Sequence, residues 1–212
     1  MTANLITLFR LFLLCVIFLV MDNDGLQGHV WAFFLTIILI SLDAVDGIVA
    51  RWLKETSEIG GVFDIVADRI VENCFWIYFA ASGVISFWIP FIIISRGILT
   101  DDIRGVALTK GMTAFGEKTL QKSAIGRALV SSRWSRGLYG FSKMLAFLSL
   151  ISIQGMSMRG SETFMAHDTQ DIIEVSGYAM IYITVGYCIL RGVPVIIDSI
   201  PFLFPKHNAG NQ

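Results

Sequence analysis

Long apolar runs alternate with short polar segments along the 212-residue chain. A helix needs about 20 mainly apolar residues to cross the hydrocarbon core of a bilayer, so these runs predict six membrane-spanning helices. The predicted helices cover residues 5–21, 30–52, 60–82, 84–107, 138–157 and 172–197. A very short turn near Gly83 to Ser86 joins the third helix to the fourth. The pattern therefore predicts an all-α integral membrane protein.

The domain organisation follows from the same pattern. The chain has no internal repeat and no low-complexity tract, so we expect one membrane domain over residues 1–205 and a flexible tail over residues 206–212. The first apolar run holds Arg10 and lacks a small-residue cleavage site. It predicts a first span that stays in the protein and not a signal peptide.

Composition agrees with a membrane protein. Charged residues make up 16% of the chain and hydrophobic residues 55%, whereas soluble domains are about 25% charged. The formal net charge of −1 gives no reason to expect a nucleic acid or another polyanion as a partner.

Lysine and arginine are distributed unevenly between the two sides of the predicted helix bundle. The loops after the second and fourth helices and the C-terminal end hold Arg51, Lys54, Arg104, Lys110, Lys118, Lys122, Arg127, Arg133, Arg136 and Lys206. By the positive-inside rule, both termini and the segment from Asp43 to Asp68 should face the cytoplasm. The basic loop at residues 108–137 suits either anionic lipid headgroups or a phosphorylated substrate, and both interpretations stay open.

Four aspartates lie where the second predicted helix ends and the third begins. Asp43 and Asp46 are three residues apart, and Asp64 and Asp68 are four apart, so each pair shares one face of its helix. The two helices run in opposite directions. We therefore expect the four carboxylates to lie at similar depth and to face one another.

Carboxylates inside a membrane cost several kcal/mol each unless they are neutralised or paired. Protonation could neutralise some of them, or Asp64 could pair with Arg69 and Asp46 with Arg51. A proton or cation pathway is another option. Alternatively, the oxygen ligands suit Mg²⁺ or Mn²⁺, and a pair of such cations suits displacement at phosphorus.

The complete spacing separates these options. It runs D-x2-D-G-x2-A-R-x8-G-x3-D-x3-D, and its eight fixed positions are Asp43, Asp46, Gly47, Ala50, Arg51, Gly60, Asp64 and Asp68. This pattern resembles the signature of the CDP-alcohol phosphatidyltransferase family at all eight positions. The six-helix plan is also similar to that family, whose members transfer a substituted phosphate from a CDP-linked donor to an alcohol and release CMP.

The resemblance implies a role for each of these residues. Two Mg²⁺ or Mn²⁺ ions would bind the four aspartates in a polar cavity at the cytoplasmic side, and Asp68 would also act as the general base. The expected CDP-binding residues are Asp43, Asp46, Gly47, Ala50, Arg51, Gly60 and Asp64. The resemblance further implies a CDP-diacylglycerol-like donor, a polar alcohol acceptor and a homodimer in the lipid bilayer.

The acceptor is indicated by two further segments. "NLITLFR", which ends at Arg10, resembles the first helix of phosphatidylglycerophosphate synthases in this family, and "SRGILTDDIR" resembles their segment after the fourth helix. Because the fourth loop is strongly basic, glycerol 3-phosphate or another phosphorylated alcohol is the expected acceptor. The candidate ligands of its phosphate are Arg96, Arg104, Lys110, Arg133, Arg136 and Lys143.

Two other function classes compete with a phospholipid-synthesising transferase. A cation transporter would use the aspartates as its transport site, but its acidic residues should connect both sides of the membrane, and Glu174 and Asp198 lie only at the ends of the sixth helix. An inactive scaffold would not explain four retained aspartates. Both considerations favour the enzyme.

Overall fold

The computed structural model describes residues 2–52, 58–109, 126, 129–130, 132–158 and 167–203, and these ranges contain six helices. The helices are α1 (Thr2–Asn23), α2 (Gly25–Trp52), α3 (Glu58–Ala81), α4 (Trp88–Thr109), α5 (Arg133–Ser157) and α6 (His167–Leu203). The prediction of an all-helical protein is confirmed. The predicted start of the fifth helix at residue 138 is wrong, because α5 begins at Arg133.

Four of the helices are long and apolar enough to cross a membrane. These stretches are Leu5–Asn23, Gly25–Asp43, Trp134–Ser157 and Thr169–Ile200. They support an integral membrane protein. In the described part of the chain α3 and α4 are not among them, since charged residues such as Asp64 in α3 and Asp101 in α4 interrupt their apolar runs.

The chain divides into two compact units. The first unit comprises residues 1–90 and 143–181, and the second comprises residues 91–142 and 182–212. In the first unit α1 packs against both α2 and α3.

Each of the first two helices buries a regular stripe of side chains. Along α1 the buried residues Thr7, Arg10, Leu14, Ile17 and Met21 alternate in steps of three and four. This spacing follows one face of a helix. The stripe is apolar except for Thr7 and Arg10, so the Arg10 side chain is directed into the bundle.

The corresponding stripe of α2 leads to one of the predicted site residues. His29, Ala32, Thr36 and Leu39 are buried in steps of three and four. Asp43 occupies the next position of this stripe, four residues after Leu39. The packing of α2 on its neighbours therefore fixes the direction in which Asp43 projects.

An aromatic core holds α3 in the first unit. Phe75 of α3 stacks on Phe147 of α5, with ring centroids 4.7 Å apart, and lies edge-on to Phe18 of α1 at 5.3 Å. Trp76 and Phe79 are fully buried beside it. At the C-terminal end of α3, Gly83 adopts a φ of 75°, and Val84 N donates a hydrogen bond to Phe79 O. This is a left-handed glycine cap, which confirms the short turn predicted near Gly83.

The connection between α1 and α2 is very tight. Gly25 has a φ of 53°, a conformation that favours glycine. A Cβ atom added to Gly28 would clash with the carbonyl oxygen of Val20 in α1 and lie 2.9 Å from the Cβ atom of Asp24. The absence of a side chain at Gly28 therefore lets α2 start directly against the end of α1.

Replacing Gly28 with alanine should destabilise the protein. Overpacking of a well-packed position costs about 1–3 kcal/mol, which exceeds the gain in helix propensity, so the melting temperature in detergent should fall. The matched control is Gly186→Ala in α6, where an added Cβ meets nothing within 4 Å. Equal melting temperatures for the two variants would contradict the close approach of α1 and α2.

Candidate active site and metal centre

Three of the predicted site carboxylates meet in the first unit. Asp43 comes from α2, and Asp64 and Asp68 come from α3. One oxygen from each carboxylate lies within 4.8 Å of the other two. Their side chains are 40%, 43% and 47% exposed. The cluster is therefore accessible, as a substrate site requires.

The carboxylates share one cation, which comes from α1. Arg10 Nη1 lies 2.8 Å from Asp43 Oδ1 and 3.3 Å from Asp64 Oδ1. Arg10 Nη2 lies 2.7 Å from Asp68 Oδ1. The guanidinium thus bridges the two helices that carry the acids, while its side chain is only 3% exposed.

Electrostatics explains why a cation is needed at this point. Two unit charges 4.8 Å apart interact with roughly 3–4 kcal/mol at an effective dielectric constant of about 20, before exposure to water reduces the value. Three mutually repelling carboxylates cannot stay together at that cost without a counterion. Among the contacts of the described residues, Arg10 supplies one positive charge against three carboxylates.

This ligand set fits a divalent cation. Carboxylate oxygens are the ligands that Mg²⁺ and Mn²⁺ prefer. Two oxygens bound to one Mg²⁺ are at most about 4.2 Å apart, which is twice the usual Mg–O distance. Oxygens within 4.8 Å of one another are close to that limit, so a small rotation of these exposed side chains would bring them to the spacing of ligands on one ion.

A buried acid lies one helical turn after Asp68. Glu72 is 4% exposed and receives Lys143 Nζ of α5 at 3.0 Å and Arg69 Nη1 at 3.3 Å. Lys143, which the sequence proposes as a ligand of the acceptor phosphate, therefore has an acidic partner within the same unit. The Glu72–Lys143 pair ties α3 to α5 directly beside the aspartates.

Some predicted site residues lie outside the described part of the structure. Asp46, Gly47, Ala50 and Arg51 belong to α2, but their side chains are outside the described residues. Gly60 lies in the first turn of α3 and is partly buried. The structure thus brings together three of the four predicted aspartates.

The second unit contains further predicted ligands of the acceptor phosphate, including Arg96, Arg104 and Arg136. Arg104 lies 3.8 Å from Asp101 on the same helix, and Arg136 is partly buried near the start of α5. Lys110 and the side chain of Arg133 lie outside the described residues. Arg96 is partly buried and belongs to a cluster with Arg191.

The cluster places Arg191 and Arg96 around the ring of Tyr139. Arg191 of α6 is 6% exposed and donates a hydrogen bond to Ser135 O at 2.7 Å. Its guanidinium lies 5.2 Å from the centre of the Tyr139 ring, and the Arg96 guanidinium lies 5.6 Å from the same centre. Among the described residues neither arginine has a carboxylate partner, and the Nε atom of each is buried without a hydrogen-bond partner. Two guanidinium groups without a carboxylate partner in the described ranges suit an anion.

The fold and the first-unit site define an all-α membrane protein with a carboxylate cluster suited to a divalent cation. A comparison with protein-family models matches the CDP-alcohol phosphatidyltransferase family over residues 1–185. The chain therefore belongs to the CDP-alcohol phosphatidyltransferase family. A comparison with curated proteins found no significant match.

Membership of this family sets the chemistry. The family transfers a phosphatidyl group from a CDP-alcohol donor to an alcohol acceptor in membranes during phospholipid biosynthesis, and it generally depends on divalent metal ions. The resemblance seen in the signature from Asp43 to Asp68 is confirmed at the level of the family. The cation-transporter alternative has no support from the match.

Sequence reasoning missed Arg10 as a member of the acidic cluster. A signal was present, since an arginine within an apolar span is costly and marks a functional position by default. Its place in the three–four stripe with Leu14 and Ile17 also directs it inward. Arg191 carried the same signal, because it interrupts the apolar run of the sixth helix.

Proposed function

We propose that this protein transfers the phosphatidyl group of CDP-diacylglycerol to a phosphorylated alcohol such as glycerol 3-phosphate and releases CMP. The observation that carries the proposal is the convergence of Asp43, Asp64 and Asp68 within 4.8 Å in a member of this family. The proposed metal ligands are these three residues and Asp46. The cofactor is Mg²⁺ or Mn²⁺, with two ions per site.

The proposed mechanism assigns the proton transfer to Asp68. Its carboxylate takes the proton of the acceptor hydroxyl, whose oxygen attacks the donor phosphorus next to the diacylglycerol. The bond from that phosphorus to the bridging oxygen of the pyrophosphate breaks, and CMP leaves with that oxygen. When bound at the aspartates, divalent cations supply the positive charge that neutralises the pyrophosphate and the departing CMP. The 47% exposure of Asp68 supports its access to substrate.

The donor nucleotide is proposed to lie along the ends of α2 and α3. Gly47, Ala50 and Gly60 leave space for it because they have little or no side chain, and Arg51 adds positive charge. These roles rest on the match of the eight-residue signature. The first unit provides the aspartates around which the pyrophosphate would bind.

A phosphorylated acceptor is supported by two arginines of the second unit, of which Arg191 is buried and Arg96 partly buried. Arg96, one of the predicted phosphate ligands, and Arg191 have no carboxylate partner in the described ranges, and a phosphate would satisfy both. The "NLITLFR" and "SRGILTDDIR" segments favour a phosphatidylglycerophosphate synthase-like member. Arg104, Lys110, Arg133, Arg136 and Lys143 remain proposed ligands, although Lys143 and Arg104 already contact acids.

An acceptor screen with Arg96→Gln and Arg191→Gln tests this function. CMP release from CDP-diacylglycerol should be fastest with glycerol 3-phosphate, compared with inositol phosphate, inositol and serine. Each substitution should raise the KM for the phosphorylated acceptor by about 10- to 100-fold, because a hydrogen bond to a charged group contributes about 1.5–3 kcal/mol. The KM for CDP-diacylglycerol should change little.

Lys206→Gln, which removes one positive charge from the C-terminal tail, is the control for net charge. Fast turnover of serine or inositol, with an unchanged acceptor KM in both arginine variants, would overturn the assignment of a phosphorylated acceptor. CMP release with none of the alcohols would overturn the proposed function itself.

The proposal also includes six spans within one membrane domain over residues 1–205. Both termini and the active site would face the cytoplasm. The excess of lysine and arginine in the second and fourth predicted loops supports this orientation. A homodimer is proposed through α5, where Gly137 and Gly140 border open space while Leu138 is 60% exposed. Ser142 is 5% exposed and so does not share that open face. Labelling of single cysteines from each side of the membrane and cross-linking through α5 test both statements.

A further inference from the structure

Arg10 occupies an unusual place for a cation in a metal site. Its guanidinium contacts Oδ1 of Asp43, Asp64 and Asp68, and these are the three carboxylates whose oxygens lie close enough together to hold a divalent ion. We propose that Arg10 is an internal countercation, which keeps the three carboxylates together before metal binds and competes with the metal for them. The inference rests on the proposed function in taking these aspartates as metal ligands.

The buried position of Arg10 makes the competition unavoidable. Its side chain is 3% exposed and lies in the buried stripe between Thr7 and Leu14 of α1. It therefore cannot swing into solvent as a surface arginine would. Nε is buried with no hydrogen-bond partner in the described ranges, so the terminal nitrogens carry the whole interaction with the acids.

The shape of the guanidinium matches the spread of the carboxylates. Nη1 is paired with Asp43 and Asp64 while Nη2 is paired with Asp68, so one planar group spans both acidic helices. A lysine has a single ammonium group and cannot pair with separate acids in the fixed planar geometry of a guanidinium. The geometry thus explains why an arginine serves as a spacer between α2 and α3.

Removing Arg10 should lower the stability of the metal-free protein and raise the affinity of the site for metal. Without metal, the three carboxylates would repel one another more strongly once the Arg10 guanidinium is gone, so the protein should melt at a lower temperature. With metal, the site would lose a competing positive charge, so affinity should rise. Because α2 and α3 still position the acids, the loss of competition should outweigh the loss of preorganisation.

Titration of purified protein with Mn²⁺, followed by the electron paramagnetic resonance signal of the free ion, tests the inference without any turnover. Arg10→Gln should lower the Kd for Mn²⁺ by about tenfold or more, and the rise in melting temperature on adding Mn²⁺ should exceed that of the unmodified protein. Arg10→Lys keeps the charge, so its Kd should stay near the original value while its melting temperature without metal falls.

Arg69→Gln is the matched control. Arg69 is the neighbour of Asp68 in sequence and pairs with Glu72, so its removal changes the net charge beside the site without removing an observed Arg10 contact. Its Kd should change by a much smaller factor. If Arg10→Gln fails to fold without metal, purification in Mn²⁺ followed by stepwise dilution of the ion still gives the Kd.

The possible outcomes separate this inference from the proposed function. Mn²⁺ binding by the unmodified protein, with the same Kd in Arg10→Gln and no larger thermal shift, would overturn the countercation role alone. Weaker binding in Arg10→Gln would also overturn it, since Arg10 would then assist the metal. No Mn²⁺ binding by the unmodified protein would overturn both.

Discussion

Replacing Asp68 with asparagine should slow CMP release by about 10²- to 10⁴-fold, the contribution of a positioned general base. Asparagine has nearly the same size, so the packing of α3 should persist. Its amide cannot take a proton from the acceptor hydroxyl, and it is a weaker ligand for a divalent cation. The measurement is the initial rate of CMP release at saturating CDP-diacylglycerol and acceptor.

The control for this substitution is Glu174→Gln, which neutralises an exposed carboxylate on α6. It should retain the original rate. Melting temperatures and the helical content of both variants should match those of the unmodified protein in the presence of Mg²⁺. Full activity of Asp68→Asn would refute its assignment as the base.

Removal of divalent cations should abolish CMP release entirely. Without them the excess negative charge of the acidic cluster would repel the donor pyrophosphate, because Arg10 compensates only one of the three described carboxylates. Incubation with EDTA followed by dialysis should bring the rate to background. Addition of Mg²⁺ or Mn²⁺ in excess should restore it.

Asp64→Asn provides a second test of the metal dependence. It removes one ligand charge, so the concentration of Mg²⁺ needed for half-maximal rate should increase over that of the unmodified protein. Zn²⁺ chelation by a selective chelator is the control and should leave the rate unchanged. A rate that is insensitive to EDTA would show that the aspartates act without metal.

The helices could be predicted from sequence because apolar runs of the right length have few alternatives in a membrane protein. The predicted ends of the helices were less accurate than their existence. α2 begins at Gly25 and not near residue 30, since the polar stretch "GLQGH" is helical through its close approach to Val20. α5 likewise extends back to Arg133, where polar residues remain helical outside the apolar run.

The site was predictable where spacing along one helix decides it. Asp64 and Asp68 share a face of α3 because they are four residues apart, and their meeting with Asp43 follows from the antiparallel hairpin of the first two site helices. Partners distant in sequence were not predictable. The pairing of Lys143 with Glu72, 71 residues away, depends on how α3 and α5 pack, which no local pattern encodes.

The salt bridges of the first helix also bear on how the protein enters its membrane. During synthesis α1 precedes α2 and α3, so Arg10 reaches the translocon before any of its carboxylate partners exists. An unpaired arginine inside an apolar segment makes the insertion of that segment less favourable. The nascent first segment should therefore remain poorly anchored until the signature residues emerge from the ribosome, which couples stable insertion to assembly of the acidic cluster.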